Sequence, residues 1–364
     1  MRPPPAVIRR VVIDPVWPAI ATVMALLFLL VAAVSAVAAP LTRRRRLLRF
    51  ALLGALYLML DAFLVVRCAT LWLRYPLASR RNPVTWSRRH EALLRGSLAV
   101  LLTAARRLLG FRVEVQEPPD QERISGRPLL VLARHGGPGD SFALVEMLMS
   151  RYGRRPAIVL TERLRWDPGM DVVLGRLPSC FVRPGQRDAI TARLTELAAG
   201  LERNDAILMF PEGGNWTPGR HRRAIVRLTG AGRWRAAADA ASNTHVLPPH
   251  ATGVLACLAG RGDLNVAVVA HTGLDDLVSA ASIWRAVPVT EPMVVRWWYE
   301  PARALPRGAA RRRHWLQLQW AIVDSWIDAR KAARTLLRQG RTPAEAEAEG
   351  ISVTGGLASS PAER

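Results

Sequence analysis

The sequence is poor in cysteine, and the few that it has show no pattern. Among 364 residues there are three, Cys68, Cys180 and Cys257, which lie far apart and fit no metal-ligand spacing. This argues against a disulfide framework or a zinc cluster as the basis of the fold. We interpret the three as single buried or membrane-embedded thiols in a reducing compartment.

Acidic residues and lysine are also scarce. The chain has 29 Asp and Glu against 51 Lys and Arg, nearly all of them arginine, for a net charge of +22. Because arginine pairs with phosphate through a two-pronged fork, this excess favours nucleic acid or an anionic membrane as partner. Residues 15–42 carry no charged side chain, and about 20 apolar residues cross a bilayer as a helix. The sequence therefore predicts anionic membrane lipids as partners, and no nucleic acid.

Two apolar segments follow a basic, proline-bearing tail predicted at residues 1–16. The first ends at Pro40 before an arginine run, and the second is interrupted by Asp61. An intramembrane carboxylate is costly, so the second segment is either a span or a re-entrant or interfacial helix. We predict membrane-anchoring helices over residues 17–73. The alternative is a cleaved signal peptide ending near Ala38, but the apolar run is long for one and a second run follows.

The arginines between and after these segments bear on orientation. An arginine-rich loop normally stays cytoplasmic. Because basic residues flank the second segment on both sides, the orientation of the hairpin stays open. We expect the protein in a membrane, the cell membrane, with its active site on the cytoplasmic side.

The remainder of the chain divides by its periodicity. Residues 74–110 predict a basic amphipathic linker helix, lying in the headgroup plane or facing a protein core. Residues 111–300 alternate strand and helix patterns, which predicts an α/β fold with a central, mostly parallel sheet flanked by helices. A tryptophan-rich helix is predicted at 301–339 and a disordered tail at 340–364. Strands are predicted at Leu129–Ala133, 157–160, 180–183, 206–210, 244–247, 265–270 and 293–298.

Two short motifs follow two of these strands. They are His135-Gly136-Gly137-Pro138-Gly139-Asp140 and Phe210-Pro211-Glu212-Gly213. Across a glycine-rich turn, Asp140 can hold one imidazole nitrogen of His135 while the other takes a proton. Asp140 also suits the cap of the helix that follows, and both roles can coexist. Since no serine or cysteine nucleophile stands beside the pair, the pattern indicates activation of a substrate hydroxyl.

These residues resemble the glycerolipid acyltransferase superfamily, of the lysophosphatidic acid acyltransferase type. The resemblance covers roughly residues 127–249. The blocks that carry it, in family order, are His135 to Asp140, Phe181-Val182-Arg183, Phe210 to Gly213, and Val246-Leu247-Pro248-Pro249. The His-x4-Asp spacing alone is weak evidence, whereas its combination with Phe-Pro-Glu-Gly at this distance is specific.

The resemblance implies a reaction and a set of site residues. A fatty acyl group would pass from acyl-CoA or an acyl carrier protein to the free hydroxyl of lysophosphatidic acid, giving phosphatidic acid, with no cofactor or metal. His135 would be the general base and Asp140 its partner. The acceptor would be bound by Arg183, Glu212, Gly213 and Gly137. Backbone amides in the glycine turn or at the following helix start would stabilise the oxyanion.

Departures from the family pattern leave the acceptor open. Gly214-Asn215 stand where relatives have Thr-Arg, so Arg220, Arg222 or Arg223 would supply that charge, and His250 replaces an arginine. Glycerol 3-phosphate, another lysophospholipid or a glycolipid are alternative acceptors. A non-catalytic, basic membrane-surface binding protein is the alternative of another class. His271 and Asp275 repeat a histidine–carboxylate pairing, which we interpret as structural.

Overall fold

The computed structural model describes residues 3–42, 45–74, 82–116, 126–137, 139–183 and 185–339. They form two compact units. The first comprises the described residues of 1–112, 142–190 and 281–292, and the second those of 113–141, 191–280 and 293–364. The catalytic domain predicted at 111–300 contributes to both, so its boundaries coincide with neither. The tail predicted to be disordered lies outside the described residues.

The helices and strands are numbered along the chain. The α-helices are α1 Ala6–Ile8, α2 Asp14–Thr42, α3 Arg46–Arg74, α4 Pro83–Leu109, α5 Asp140–Ser150, α6 Pro168–Leu174, α7 Arg187–Ala199, α8 Pro218–Gly230, α9 Trp234–Ser242, α10 Ala251–Gly260, α11 Ala280–Ala286 and α12 Ala309–Arg338. The strands are β1 Val113–Gln116, β2 Leu129–Ala133, β3 Arg155–Thr161, β4 Ser179–Val182, β5 Asp205–Met209, β6 Asn265–Thr272 and β7 Met293–Glu300.

In the first unit, α2 and α3 pair through small residues and a buried carboxylate. The contact is lined by Ala21, Ala25, Ala55, Leu58 and Ala62, with Trp17 packed against it. Asp61 lies buried within α3 and accepts a hydrogen bond from the indole N–H of Trp17, so the helix runs through it without a break. Both helices are long and apolar enough to cross a membrane, and they fit the anchoring hairpin predicted from the sequence.

The segment predicted as a tail is helical from Ala6 onward, with a π-helical turn at Arg9–Ile13. Arg9 is buried, and its Nε lies 2.9 Å from Asp171 Oδ2. Arg10 and Arg165 reach the same carboxylate at 3.0 and 3.1 Å. The tail prediction is therefore wrong for these residues, because the basic side chains find a buried carboxylate more than a hundred residues away.

Helix α4 shows how local sequence sets the boundaries of a helix. The Asn82 side chain accepts the Thr85 N–H at 3.0 Å, proline occupies the first turn, and Gly110 ends the helix with a φ of 78°. Its apolar side buries Leu94 and Leu98 and contacts α3 and α6. Of the two alternatives for this helix, the structure thus has the core-facing one.

The second unit is built on five strands in the order β1-β7-β6-β2-β5. Only the β6–β7 pair is antiparallel among the pairings described for this unit. In the first unit, β3 and β4 also pair in parallel. The predicted α/β fold with a mostly parallel sheet is confirmed. Every residue of β2 and β6 is buried, which explains the continuous apolar runs that revealed them in the sequence.

One predicted strand is wrong and one was missed. Residues 244–247 are irregular, because their amides bond to side chains instead of a strand ladder. Thr244 and His245 donate to the carboxylate of Asp324, at 3.1 and 2.5 Å, and Leu247 donates to Glu212 at 2.9 Å. The missed strand, β1, is short and has no buried residue in its burial pattern, so it lacked the apolar run used to find the others.

Helix α12 carries the predicted tryptophan-rich pattern into the core of the second unit. Trp320 and Trp326 are almost wholly buried, and the helix contacts β6 and α10. Asp324 lies between these two tryptophans in the sequence of the helix. Its carboxylate accepts hydrogen bonds from the amides of Thr244 and His245.

Candidate active site

The candidate site lies in the second unit, at the carboxyl ends of β2, β5 and β6. Strand β2 lies between β5 and β6 and runs parallel to both, so the segments that follow these strands meet at one sheet edge. Clefts at the carboxyl ends of parallel strands are the usual place for sites in such sheets. The segments begin at Arg134, Phe210 and Gly273.

His135 and Asp140 are brought together as the sequence predicted. His135 Nδ1 lies 2.9 Å from Asp140 Oδ2. The His135 side chain is 21% exposed and that of Asp140 only 1%. A buried carboxylate accepts the Nδ1 proton, which leaves the lone pair of the ring on Nε2. Within the part of the chain that the structure describes, no hydrogen bond is made by Nε2.

Asp140 also organises the glycine turn. Its Oδ2 accepts the amides of Gly136 and Gly137, at 3.0 and 3.3 Å, and its Oδ1 accepts the amide and hydroxyl of Ser141. These three amides therefore serve the aspartate, and the role expected of the other amides of the turn and helix start toward an oxyanion stays a prediction. The carboxylate opens α5 as well as holding the histidine, so the two roles expected of it coexist.

The charge of Asp140 is strongly favoured. Burial opposes ionisation, but hydrogen bonds and charge interactions with His135 and His271 outweigh it and hold the pKa of Asp140 far below its usual range. The carboxylate is thus ionised throughout the neutral pH range. An ionised partner is what a histidine needs if it is to become an imidazolium during a reaction.

Glu212 ties two segments of the site together. Its Oε1 accepts the His135 amide at 3.1 Å and its Oε2 accepts the Leu247 amide at 2.9 Å. Burial raises the pKa of Glu212 to about 7, although Arg134 and the two amides favour the charged form. Since both oxygens receive backbone amides, Glu212 supports the backbone at His135 and at Leu247.

The Phe-Pro-Glu-Gly block forms a turn directly after β5. The Gly213 amide donates to Phe210 O at 3.0 Å, and Gly213 has a φ of 69°, a conformation that favours glycine. The Phe210 ring lies 4.5 Å from that of His135. Further on, the Trp216 amide donates to His135 O and the His250 amide to Pro211 O, both at 2.8 Å.

Sequence reasoning missed Arg134, which is completely buried beside the base. Its guanidinium donates to His245 O and His271 O, each at 2.8 Å, and its Nη2 lies 2.5 Å from Asp275 Oδ1. That neighbour, with Lys331 and the Thr272 hydroxyl, keeps the pKa of Asp275 far below its usual range despite burial. The only sequence signal was an arginine at the end of an apolar strand.

His271 contacts a different carboxylate from the one that its sequence pattern suggests. Its Nε2 lies 3.0 Å from Arg134 O and 3.4 Å from Asp140 Oδ2. Asp275 instead receives Arg134, the Thr272 hydroxyl and the Gly273 amide. The two histidine-containing loops are therefore cross-connected. His271 of the second loop contacts Asp140 of the first, and Arg134 beside the first loop contacts Asp275 of the second.

Helix α12 closes this network from one side. Lys331, the single lysine of the sequence, places Nζ 3.2 Å from His245 Nδ1 and 3.8 Å from Asp275 Oδ1. Its Nζ also lies 5.6 Å from the centre of the Trp216 ring. His245 Nε2 contacts Asp328 Oδ1 at 3.1 Å. The charged residues of α12 thus support the segment 244–247 that the sequence pattern mistook for a strand.

The remaining predicted site residues differ in placement. Gly137 is buried, and a Cβ there would lie 2.7 Å from the backbone of Leu274, so only glycine permits this approach of the two loops. Arg183 lies in the first unit, where it forms a two-pronged ion pair with Glu162 at 2.5 and 2.7 Å. That pairing raises the pKa of Arg183 and lowers that of Glu162. Their roles in acceptor binding stay predictions.

Among the three arginines expected to replace the family's arginine, Arg220 is the one that folds over the turn. It is exposed, and its Nη1 donates to Asn215 O at 3.0 Å. Gly214 lies directly beneath the guanidinium, since a Cβ there would be 3.0 Å from Nη1. Arg220 therefore extends the basic surface toward the Phe-Pro-Glu-Gly turn.

The described residues contain no group of three or more His, Cys, Asp or Glu side chains arranged to hold a metal ion. The arrangement that the structure does provide is an oriented imidazole with an accessible nitrogen. Together with the fold, this defines an α/β domain with a histidine–aspartate pair at the carboxyl ends of parallel strands.

Comparison with known proteins finds a family model that matches this domain. Residues 112–250 match the family model described as Acyltransferase. The resemblance drawn from the four motif blocks is confirmed, and the chain carries an acyltransferase domain.

A solved structure shows a more distant likeness. It is the 1-acyl-sn-glycerophosphate (LPA) acyltransferase PlsC from Thermotoga maritima, 14% identical, with 76% of this chain and 97% of that chain covered at a TM-score of 0.42. A likeness of that size fixes neither the substrate nor the partners of this chain. No curated protein matches the chain.

Proposed function

We propose that the protein is a membrane-bound O-acyltransferase that converts lysophosphatidic acid to phosphatidic acid, with acyl-CoA or an acyl carrier protein as donor. The observation that carries the proposal is the contact of 2.9 Å between Nδ1 of the partly exposed His135 and a buried, ionised Asp140. The acyltransferase family of residues 112–250 supports the reaction type.

The proposed reaction is a direct transfer. His135 Nε2 takes the proton of the acceptor hydroxyl as its oxygen attacks the thioester carbonyl carbon. The C–O bond forms, the C–S bond breaks, and the thiolate leaves with the proton that the imidazolium returns. Asp140 stabilises the imidazolium between these steps. A correctly placed general base contributes on the order of 100- to 10,000-fold in rate.

The N-terminal hairpin supports a membrane location for this reaction. Its two helices are apolar along their length, and many of their large side chains are exposed to the surroundings, among them Val23, Leu26, Leu27 and Leu30. An apolar exposed surface of this kind is satisfied by lipid. We propose the cell membrane, with the site on its cytoplasmic side, where a lipid acceptor with one chain is held at the surface.

The acceptor's phosphate has candidate partners among the arginines. Arg220 is exposed beside the Phe-Pro-Glu-Gly turn and retains donors beyond its bond to Asn215 O. The guanidinium of Arg183 is already paired with Glu162, so a phosphate would have to displace that carboxylate to bind there. This favours Arg220 as the residue through which a phosphate-bearing acceptor is distinguished from a neutral one.

The test is an acceptor panel with purified protein in lipid vesicles and labelled acyl-CoA or acyl carrier protein. The acceptors are lysophosphatidic acid, glycerol 3-phosphate, lysophosphatidylcholine and a neutral glycolipid, each given to the wild type, His135→Ala and Arg220→Ala. We expect phosphatidic acid from lysophosphatidic acid in the wild type, no product from His135→Ala, and a raised KM for phosphate-bearing acceptors in Arg220→Ala. Arg222→Ala is the matched control for loss of one exposed arginine.

Each outcome decides a different part of the proposal. Transfer to another acceptor replaces the substrate and keeps the reaction. Transfer that survives His135→Ala removes the histidine from its role. A folded, vesicle-bound wild type that acylates nothing would favour the non-catalytic binding protein.

A further inference from the structure

His271 is a buried histidine that the proposed reaction does not use. It is the last residue but one of β6 in the second unit and is completely buried. Its Nε2 faces two acceptors, the carbonyl of Arg134 at 3.0 Å and Asp140 Oδ2 at 3.4 Å. Because neither acceptor can donate, the proton of the ring must be on Nε2. Nδ1 has no hydrogen-bond partner among the described residues.

Asp140 Oδ2 is therefore approached by two imidazoles. His135 reaches it through Nδ1 at 2.9 Å and His271 through Nε2 at 3.4 Å. The approach is tight, since a side chain at Gly136 would lie 2.8 Å from His271 Cε1. Oδ2 also accepts the amides of Gly136 and Gly137, and each further donor leaves less negative charge on this oxygen for its bond to His135.

We propose that His271 is a positioning residue that acts through Asp140: by sharing the carboxylate it lowers the basicity of His135 and fixes the aspartate in the orientation that the base needs. The consequence for acyl transfer rests on the proposed function, whereas the effect on His135 itself does not. His271 also holds the carbonyl of Arg134, the residue that immediately precedes the base.

Other charged groups surround the two rings and stay in place when His271 is changed. Glu212 accepts the His135 amide from the turn after β5, and Arg134 stands between the two loops. Asp275 is paired with Arg134, and Lys331 of α12 lies 3.8 Å from it. Among the described hydrogen bonds of these four residues, the bond at the Arg134 carbonyl is the one that involves the His271 side chain, and the amide N–H of His271→Gln can replace it. A shift seen in His271→Phe and recovered in His271→Gln therefore reports on the loss of the Nε2 donor.

The direction of the effect follows from charge. The anionic carboxylate of Asp140 favours the imidazolium form of His135. Without the His271 donor that influence grows, and neutral His135 becomes available to a reagent only at higher pH. We expect the midpoint of its pH profile of modification to rise in His271→Phe, which is of similar volume, and to rise less in His271→Gln, whose amide N–H can replace the Nε2 donor.

The experiment measures carbethoxylation of His135 by diethylpyrocarbonate as a function of pH, followed by peptide mass spectrometry on the full chain in detergent. The reagent attacks neutral imidazole, and the exposed His314 is the internal reference. His90→Phe removes another completely buried histidine, one that bonds to Trp86 O, and is the matched control. The acidic limb of kcat/KM is recorded beside it for each variant.

The outcomes separate this inference from the proposed function. A rise in the midpoint for His135 in His271→Phe, with recovery in His271→Gln and no change in His90→Phe, supports the coupling even if no acceptor is acylated. An unmoved midpoint in a folded His271→Phe overturns it. Should His271→Phe fail to fold, His271→Asn, which is smaller and does not reach Asp140, must raise the midpoint relative to His271→Gln, and equal midpoints in these two overturn the inference.

Discussion

The two histidine loops of the second unit have nearly the same sequence pattern and opposite environments. His135 precedes Asp140 by five positions, and His271 precedes Asp276 by five, so the His-x4-Asp spacing occurs twice. Asp140 is buried and holds His135, whereas Asp276 is 82% exposed and lies 3.7 Å from Arg334. His135 is accessible and His271 is sealed. The same spacing thus produces two different environments, and only the first pairs a buried carboxylate with an accessible ring, as the proposed base requires.

The cross-connection joins the second loop to the first. Arg134 from the first loop binds Asp275 of the second, and His271 from the second binds Asp140 of the first. Each buried charge is paired across the sheet edge, which is the condition under which buried charges are tolerated. The second loop therefore supports the geometry in which the first is active.

The largest expected effect is on kcat, and it should differ between the two His-x4-Asp loops. Asp140→Asn should reduce kcat on the best acceptor by on the order of 100- to 10,000-fold, because an amide neither fixes the tautomer of His135 nor stabilises an imidazolium. Asp276→Asn, the matched change in the other His-x4-Asp, should leave kcat within twofold. Initial rates with labelled donor measure both, and circular dichroism checks the fold. Equal losses in the two variants would contradict the assignment.

A smaller effect is expected from Glu212, which distinguishes the two histidine loops. Of these two loops, Glu212 accepts a backbone amide from the one that contains His135. Burial raises its pKa from 4.5 to about 7, so folding binds its proton more tightly. Its contribution to stability is fully present below pH 4.5 and is lost as the pH rises to 7. The difference of 2.5 units corresponds to about 3 kcal/mol in the free energy of unfolding.

Glu212→Gln stays neutral and should remove that slope. Denaturant unfolding of the two proteins at several pH values between 4 and 8 measures the difference between them, which cancels the titration of Asp140 and Asp275. A difference that does not change with pH would show that Glu212 keeps an ordinary pKa in the folded state.

The smallest expected effect is on the free energy of unfolding. It concerns Asp324 of α12, which holds the segment to which Arg134 donates. Asp324→Ala leaves the amides of Thr244 and His245 without their acceptor, and the carbonyl of His245 is where Arg134 donates. We expect a loss of about 1–3 kcal/mol in unfolding free energy. Asp328→Ala, one turn further along, removes a carboxylate that is 72% exposed and should cost under about 1 kcal/mol. A loss in Asp328→Ala as large as that in Asp324→Ala would contradict this order.

Much of the fold was accessible from the sequence because its signals are local. Strand β2 has the bounds predicted from its apolar run, and helix α4 begins and ends at the asparagine, proline and glycine that favour such boundaries. The His135–Asp140 contact spans a single glycine turn, so its partners were bound to be neighbours. The errors, at residues 6–16 and 244–247, occur where polar groups bond to side chains far away in the chain.

The sequence by itself determined the alternation of strands and helices, the apolar hairpin and the pairing within the His-x4-Asp turn, since each depends on residues a few positions apart. Only the tertiary structure decided that His271 turns to Asp140, that Arg134 turns to Asp275 and that both oxygens of Glu212 hold backbone amides. Those contacts join residues 35 to 141 positions apart, in the segments after β2, β5 and β6 and in residues 244–247. They form because parallel pairing of the three strands delivers their carboxyl ends to one edge, where buried charges must find partners.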